Sequence, residues 1–578
     1  MQKRLWLQHY PAAVPADIPV DGYESVPDLL DRSISNFSAL PAFNSFGQTL
    51  SYQHTGRLAK SLAAYFLIDL QLKKGDRVAL MLPNCLQYPV ALWGTLRAGL
   101  VVVNINPRFT QAEVHDQLVE TGARVLIVID SAALTVAQVK EKTCVEHIIS
   151  TSLFDLVRPP RRQILQLRIR LHQQSKAVPI AEAIAFKTAL ARGKRAILTP
   201  VVIKGTDLAL LQFTGGTTGV SKAAMLTHRN LIANAQQCLH WLTPTGLLKE
   251  GQERILTVLP LYHIFAMTVN CLVFMLMGAC NYLISNPSNL TAIAHLIQKK
   301  RLSVVIGVNT LFSSLLNTPT FQRTDFQSLK LTIGGGMAVQ RSIADRWQTI
   351  TGQPIIEAYG LTESSPAACA NPLCSQRHTG SIGLPLPSTW ASIQDDACQH
   401  LGINTLGELC LRGPQIMQGY WQRPEETAKV IDANRWLHTG DIAYMDQDGY
   451  FYVVDRKKDL ILVAGYNVYP KEIEEAIAEL AGVAEVAAIG VPHRRLGEVV
   501  KAMIVRHDTS LTAEKVRAHA RQCLAHYKQP RRIEFVDQLP KSAVGKVLRR
   551  ALRPIAAHQA DQPDRSAQRR QVAPVVIG

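Results

Sequence analysis

Short apolar runs rich in β-branched residues recur along the chain, at Val78–Pro83, Val101–Asn104 and Val125–Asp130. They return at Ala209–Phe213, Ile255–Pro260, Val304–Gly307, Leu329–Gly334 and Ile355–Glu357. Helix-like segments separate them, among them Leu86–Ala98, which follows the Pro83-Asn84 turn. Strands alternating with helices predict parallel sheets in an α/β fold. From about Ala391 the segments shorten and fill with Gly, Asp and aromatic residues, as at Gly407-Glu408-Leu409 and Asp446–Tyr452, which predicts hairpins in a small β-rich lobe. After Asp455 a separate α+β unit is expected: an acidic-fronted helix Pro470–Leu480, a strand Glu485–Val491 and a basic helix near Glu514–Tyr527. The expected organisation is a large N-terminal domain, residues 1–454, of two α/β subdomains plus the β-rich lobe, and a small C-terminal domain, residues 455–553. Residues 554–578 lack apolar periodicity and read as a disordered tail.

Hydrophobic residues make up 47% of the 578 and charged residues 19%, which excludes a single small binding module and a disordered chain. The net charge of +17 admits nucleic acid, anionic membrane or phosphorylated ligands. Ten cysteines without a C-x-x-C pair read as reduced, cytoplasmic thiols, and the N-terminus lacks the apolar core of a signal peptide. No Asp, Glu, Lys or Arg occurs from Ile255 to Gln298, a stretch that a hydropathy window flags as a membrane span. Pro260, His263, Asn270, Gly278 and Asn281 are costly in lipid, so a buried core helix is expected there. Arg158–Lys204 carries eleven basic residues against Glu182 alone. That stretch reads either as a solvated basic insertion or, where Ile164, Leu165, Leu167, Ile169 and Leu171 interleave with Arg161, Arg162, Arg168 and Arg170, as an interfacial helix on anionic lipid. Without aromatic stacking residues it does not read as a nucleic-acid site.

The strongest local signal is Phe213-Thr214-Gly215-Gly216-Thr217-Thr218-Gly219-Val220-Ser221-Lys222. Glycines let the backbone expose its amides, hydroxyls add donors and a lysine charge follows, which suits a polyphosphate. The spacing departs from the G-x-x-x-x-G-K-[ST] loop of kinases and GTPases. Ala223 spoils the G-x-S-x-G elbow of serine hydrolases around Ser221.

With Tyr359-Gly360-Leu361-Thr362-Glu363, Gly407-Glu408-Leu409, Thr439-Gly440-Asp441, Asp455–Asp459 and Pro540–Lys546 added, the chain resembles the AMP-forming adenylating enzymes, the superfamily of acyl-CoA synthetases, luciferases and peptide-synthetase adenylation domains. Arg4–Pro15, Leu72–Pro107, Leu259–Phe265, Gly307–Phe312 and Tyr466–Pro470 are most similar to its bacterial branch acting on long-chain fatty acids. The resemblance implies ATP-dependent ligation of a long-chain fatty acid to coenzyme A through acyl-AMP, with magnesium as cofactor. The same fold also serves acyl-AMP ligases that load a carrier protein, and the lack of an insertion between Asp441 and Gly465 stands against that alternative. A rival of another class, a non-catalytic basic membrane-binding protein on a dead ligase scaffold, is opposed by intact Thr214, Glu363, Asp441 and Lys546.

By matching position, Thr214 and Glu363 are implied to hold magnesium, and Thr214, Gly215, Gly216, Thr217, Thr218, Gly219 and Lys222 the β- and γ-phosphates. Gly334, Gly335, Gly336 and Tyr359, with Gly360 and Thr362 in the same motif, are implied at the nucleotide, and Asp441 and Arg456 at its ribose. Lys546 is implied to stabilise charge as acyl-AMP forms, Gly465, Tyr466 and Asn467 to line the coenzyme A path, and Lys458 to be the hinge about which a mobile C-terminal domain turns between the two steps. The partners expected are fatty acid, ATP, coenzyme A and an anionic membrane surface at the inner face of the cell membrane, with a homodimer left open. Two departures from the family pattern stand out: Ala223 replaces a usual glycine, and Asp395–Asn404 lacks the usual Gly/Pro-rich hairpin.

Overall fold

The computed structural model describes residues 4–20, 22–172 (side chains to 167), 180, 182–214, 221–375, 379–542, 545–549 and 551–553. The tail beyond 553 lies outside the described residues. Among them the apolar runs become strands close to where the pattern places them: Val101–Asn104 and Val304–Gly307 coincide with their runs, and Arg77–Met81 and Val125–Ile129 overlap theirs. Every residue of Val125–Ile129 is buried, as a central parallel strand covered by helices on both faces requires.

The strands form four sheets among the described residues. One of seven strands runs, in spatial order, Ile184–Ala185, His147–Thr151, Val125–Ile129, Arg77–Met81, Val101–Asn104, Leu208–Phe213 and Ala223–Thr227. Its neighbours are parallel except the last pair, which is antiparallel. One of nine strands is parallel through its centre, from Ile355–Gly360 across Leu331–Gly334, Val304–Gly307, Arg254–Thr257 and Cys280–Leu283 to Pro41–Ser45, with antiparallel edges. A four-stranded sheet follows, Trp390–Gln394, Gly407–Arg412, Leu437–Met445 and Phe451–Arg456, which is the expected β-rich lobe. The architecture is therefore α/β with two large sheets, a small β lobe and a small α+β unit, as the sequence pattern predicts.

The chain divides into two compact units, Met1–Val453 and Val454–Ser542, the second resuming at Lys546. In the second, a five-stranded sheet is covered by the helices Pro470–Ala478 and Ala513–Cys523. Ile473 with Ile477, and Val516 with Ala520, stand one helical turn apart and bury against Ile461, Val468, Val500 and Ile504.

The uncharged stretch is a buried helical segment, Ile264–Leu276, with a widened turn at Val269–Val273. Ala266, Met267, Cys271, Leu272 and Phe274 are fully enclosed. Its polar side chain is satisfied inside protein: Asn270 donates to Thr257 Oγ1 at 3.0 Å and to Asn281 Oδ1 at 2.9 Å. No helix among the described residues is long and apolar enough to cross a membrane.

The basic stretch 158–204 is not wholly a solvated insertion. Ile184–Ala185 joins the seven-stranded sheet and the helix Phe186–Arg195 buries Phe186, Ala189, Leu190 and Gly193 against the helix Tyr52–Ala64 and the turn after it. A Cβ on Gly193 would stand 1.8 Å from the Ser61 carbonyl oxygen, so the two backbones meet directly there. The spacing i, i+3, i+4, i+7 carries this apolar stripe beneath the basic residues, which the charge count conceals. Among the described side chains of the helix Arg161–His172, Ile164 and Leu167 are more than half exposed, and those of Arg168, Ile169, Arg170 and Leu171 lie outside the described residues.

Candidate active site

The Gly/Thr-rich loop connects the two antiparallel strands that close the seven-stranded sheet, Leu208–Phe213 and Ala223–Thr227. Gly215, Gly216, Thr217, Thr218 and Gly219 lie outside the described residues. The two ends of the loop are fastened to each other: the Thr214 amide donates to the Lys222 carbonyl at 2.8 Å, and Ser221 Oγ donates to the Thr214 carbonyl at 2.9 Å. Ala223 is fully buried and pairs with Phe213 as the first residue of its strand. Alanine suits that extended, enclosed position, so this departure from the pattern leaves the loop anchor intact.

A second segment, Met417–Trp421, runs beside this strand. The Met225 amide donates to the Gly419 carbonyl at 2.9 Å, and the Trp421 amide to the Ala223 carbonyl at 2.8 Å. At its start the Met417 amide donates to the Glu363 carbonyl at 2.9 Å, so one extended segment fastens the acidic turn to the loop anchor. Glu363 stands on the short 3-10 helix Thr362–Ser364, entered from the strand Ile355–Gly360. Gly360 is needed at that corner because a Cβ there would reach the Pro366 carbonyl at 1.9 Å. Ser365 Oγ donates to the Gln415 carbonyl at 2.7 Å and fixes the other end of the turn.

The side chains on these segments form one cluster. Lys222 pairs with Glu426 and stands 5.0 Å above the ring of Tyr420, whose hydroxyl donates to Glu363 Oε1 at 2.7 Å. The hydrogen bond from Lys222, and then that from Lys429, hold the Glu426 carboxyl down to about 2. Burial, and then the Glu363 carboxylate, push the Tyr420 phenol well above its ordinary value. Neither Tyr420 nor Glu426 has a sequence signal of its own: one follows a glycine in an irregular segment, the other is one acid of a short surface helix, Pro424–Ala428.

Three further motifs meet at the edge of the β lobe. Gly407 lies opposite Ala443, and Glu408 opposite Ile442, on neighbouring strands. Glu408 Oε1 accepts from the Gly440 amide at 2.9 Å and Thr439 Oγ1 donates to the Leu409 carbonyl at 2.7 Å, so Gly407–Leu409 braces Thr439–Asp441. Asp441 is 3% exposed, and its Oδ2 accepts from the Tyr359 hydroxyl at 2.5 Å. Gly334 is paired with Glu357, two residues before Tyr359. A Cβ on Gly335 would stand 2.9 Å from the Phe265 ring and 3.2 Å from the Ala358 carbonyl, so only glycine leaves this surface flat. The structure thus brings Gly334–Gly336, Tyr359 and Asp441 onto adjacent elements, and Lys222 and Glu363 onto one aromatic side chain, the first over its ring and the second at its hydroxyl. Asp395–Asn404 makes its turn with Gly402 as its one glycine and no proline: Asp395 Oδ1 accepts from the Ala397 and Gln399 amides, and Cys398 and Asn404 take left-handed backbone angles.

Arg456, Lys458, Gly465, Tyr466, Asn467 and Lys546 belong to the second unit. Arg456 ends the strand Phe451–Arg456, and Lys458 is exposed, its carbonyl accepting from Arg553 at 3.3 Å. Ala464 and Gly465 form a two-residue hairpin turn with φ of 51° and 85°, a primed turn, between Val463 and Tyr466. The exposed Tyr466 ring stacks on Tyr527 with centroids 4.7 Å apart. Lys546 is half-buried in a turn closed by the Ser542 amide donating to the Lys546 carbonyl at 2.8 Å.

Comparison with known proteins gives the family. Residues 30–421 match the family model of the AMP-binding enzymes, and residues 472–546 that of the AMP-binding enzyme C-terminal domain. A long-chain-fatty-acid–CoA ligase of Escherichia coli O157:H7 is 47% identical over 97% of this chain and 99% of its own. One of Bacillus subtilis is 36% identical over 95% and 97%. The solved structure of MatB from Rhodopseudomonas palustris, bound to ATP, superposes with a TM-score of 0.79 at 26% identity, over 92% of this chain and 98% of that one. Matches that take in both units and nearly the full length leave one conclusion: the chain belongs to the family of AMP-binding enzymes.

Proposed function

We propose that this enzyme joins a long-chain fatty acid to coenzyme A at the expense of ATP. In the first step the fatty carboxylate oxygen attacks the α-phosphorus and the bond to pyrophosphate breaks, giving acyl-AMP. In the second the thiol sulfur of coenzyme A attacks the acyl carbon, the bond to AMP breaks and the thiol proton passes to solvent. The observation that carries the reading is the cluster of Lys222 and Glu363 around Tyr420, beside the Tyr359–Asp441 pair, in a chain whose relatives bear the name long-chain-fatty-acid–CoA ligase.

Each residue then has a part. The Glu363 carboxylate and Thr214 hydroxyl are hard oxygen donors, a set that suits Mg²⁺, and these two residues would hold it. Magnesium, when bound there, neutralises phosphate charge so that one anion can approach another. Lys222 and the backbone of Thr214–Gly219 hold the phosphates. Asp441 accepts the ribose hydroxyls with Arg456 near the same sugar, and Tyr359 and Gly334–Gly336 flank the adenine. Lys546 stabilises charge as acyl-AMP forms, and Gly465–Asn467 borders the pantetheine arm. The exposed Ile164 and Leu167, with Arg161 on the same helix, suit attachment to an anionic bilayer in which the substrate partitions.

AMP release dependent on both ATP and coenzyme A, measured over acetate, octanoate, palmitate and oleate, tests the proposal. Each buried methylene contributes about 0.8 kcal/mol, so affinity should climb with chain length. Octanoate outperforming palmitate at equal free concentration would overturn the long-chain assignment.

A further inference from the structure

Tyr420 touches two groups that the proposed reaction uses on one substrate, yet it has no part in that reaction as written. Its hydroxyl donates to Glu363 Oε1 at 2.7 Å while the Lys222 ammonium stands over its ring at 5.0 Å. The residue itself is fixed from several sides. It is 7% exposed, its amide donates to Thr427 Oγ1 at 2.8 Å, and it bridges to Ala224 across the strand. The preceding Gly419 leaves no room for a Cβ, which would stand 2.6 Å from Thr427. Glu363, by contrast, is half-buried on a single helical turn, where a carboxylate has several rotamers open to it. A cation ligand has to be held close to one geometry, and a hydrogen bond to one carboxylate oxygen is how such ligands are oriented. A phenol hydroxyl has a proton to give, so at this contact it is the donor and the carboxylate the acceptor.

We propose that Tyr420 is a positioning residue: its hydroxyl orients the Glu363 carboxylate toward a divalent cation, and its ring face holds the Lys222 ammonium alongside, so that cation and phosphate are received in register. This rests on the proposed ATP-dependent reading, in which Glu363 holds the cation. Two consequences follow from the division of labour on one side chain. Tyr420→Phe keeps the ring under Lys222 and loses only the orienting hydroxyl. Tyr420→Leu loses both.

The test uses the full-length chain, Mn²⁺ as the probe and α,β-methylene ATP as a nucleotide that cannot give up its adenylyl group, with bound Mn²⁺ read by electron paramagnetic resonance. Tyr420→Phe is expected to weaken Mn²⁺ binding about tenfold, the loss of one hydrogen bond to a charged group. Its affinity for the nucleotide without metal should stay that of the parent. Tyr420→Leu should weaken the nucleotide as well, and Glu363→Gln should set the floor for Mn²⁺; melting temperatures confirm that each chain is folded. Mn²⁺ binding by Tyr420→Phe equal to the parent, with Glu363→Gln impaired, overturns the positioning role. Parent-like binding by Glu363→Gln overturns instead the assignment of Glu363 to the cation, on which the role depends.

Discussion

Arg549 and Glu474 meet fork to fork in the second unit, Nε 3.1 Å from Oε1 and Nη2 2.7 Å from Oε2. The same guanidinium reaches Asp459 at 3.2 Å and Asp455 at 3.6 Å, so it gathers three carboxylates, two of them from the Asp455–Asp459 motif. Glu474 also accepts from the Ala488 amide at 2.8 Å. Burial raises the Glu474 and Asp455 carboxyls above their ordinary values, and Arg549 opposes the rise in both. Arg549 stands three residues beyond Lys546, so the cluster ties the lysine turn to the Asp455–Asp459 motif. Arg549→Met leaves these acids unneutralised and is expected to cost about 3–5 kcal/mol. Chemical denaturation should show Arg549→Met with Glu474→Leu losing less than Arg549→Met alone, since the second change removes a buried charge.

Lys222 is paired with Glu426, and if it meets the phosphates as proposed, nucleotide has to break that pair. Glu426→Gln keeps the shape of the side chain and removes its charge, which frees the ammonium for phosphate. The expected outcome is a several-fold lower KM for ATP and stronger inhibition by pyrophosphate, both effects shrinking as salt is raised. Steady-state kinetics at two ionic strengths decide it, and unchanged constants would show that Lys222 does not meet the phosphates.

Much of this was readable in the sequence because it rests on local signals. Buried parallel strands such as Val125–Ile129 are unbroken apolar runs, and the Asp446–Tyr450 turn between Leu437–Met445 and Phe451–Arg456 is dense in Asp and Gly. The motifs carrying Glu363 and Asp441 are equally local. What the sequence conceals is pairing at a distance. Tyr420 meets Glu363 across 57 positions and Lys222 meets Glu426 across 204, and no periodicity records either. The basic stretch misleads for the opposite reason: its charge is conspicuous, while Phe186, Ala189 and Leu190, which bury the helix, are only a sparse stripe within it.

Ile164 and Leu167 stand three residues apart on the helix Arg161–His172, at 52% and 58% exposure, with Arg161 exposed at its start. Sedimentation with vesicles of anionic lipid is expected to fall as salt rises, and to fall again in Ile164→Asp with Leu167→Asp. Neutral vesicles should pellet little of either chain. Equal pelleting of parent and variant on anionic vesicles would place the membrane surface elsewhere.

His228 is buried, and its Nδ1 accepts from the Val26 amide at 3.2 Å, joining the starts of two helices, Val26–Phe37 and His228–Leu242. Burial lowers its pKa to about 4, and His263 is lowered to about 4 by the same cause. A histidine with a depressed folded pKa contributes stability that is present above its unfolded value and lost as pH falls through the interval down to the folded one. Between about pH 6.5 and 4 the unfolded chain binds protons that the folded one refuses, and at pH 5.5 each histidine accounts for about 1.4 kcal/mol of loss. Melting temperatures should therefore drop from pH 7 to 5.5, and drop less in His228→Gln, whose amide oxygen can still accept from Val26. An unchanged slope in that variant would remove His228 as a cause.

Lys546 and Gly465 are expected to serve different half-reactions, and their surroundings make the separation testable. Lys546 lies in a turn whose ends are joined by backbone, with Lys541 bridged to Val547, so shortening its side chain leaves the turn standing. Lys546→Ala should nearly abolish acyl-AMP formation while acyl-AMP supplied with coenzyme A is still converted. Gly465 has a φ of 85° and nothing within 4 Å of where a Cβ would stand, so a larger residue is opposed there by backbone strain and not by collision. Gly465→Asn, which tolerates the left-handed region, should keep the hairpin and most activity, and Gly465→Leu should carry a strain of about 1–2 kcal/mol. If the Gly465–Asn467 loop borders the coenzyme A arm, Gly465→Leu forms acyl-AMP and fails to pass it on. Lys458→Pro, which fixes φ at the hinge position, should retain one half-reaction and lose the other. Pyrophosphate release and thioester formation, assayed separately for each chain, decide the matter: equal proportional loss of both steps in Lys546→Ala and in Gly465→Leu would show that the second unit does not divide its labour in this way.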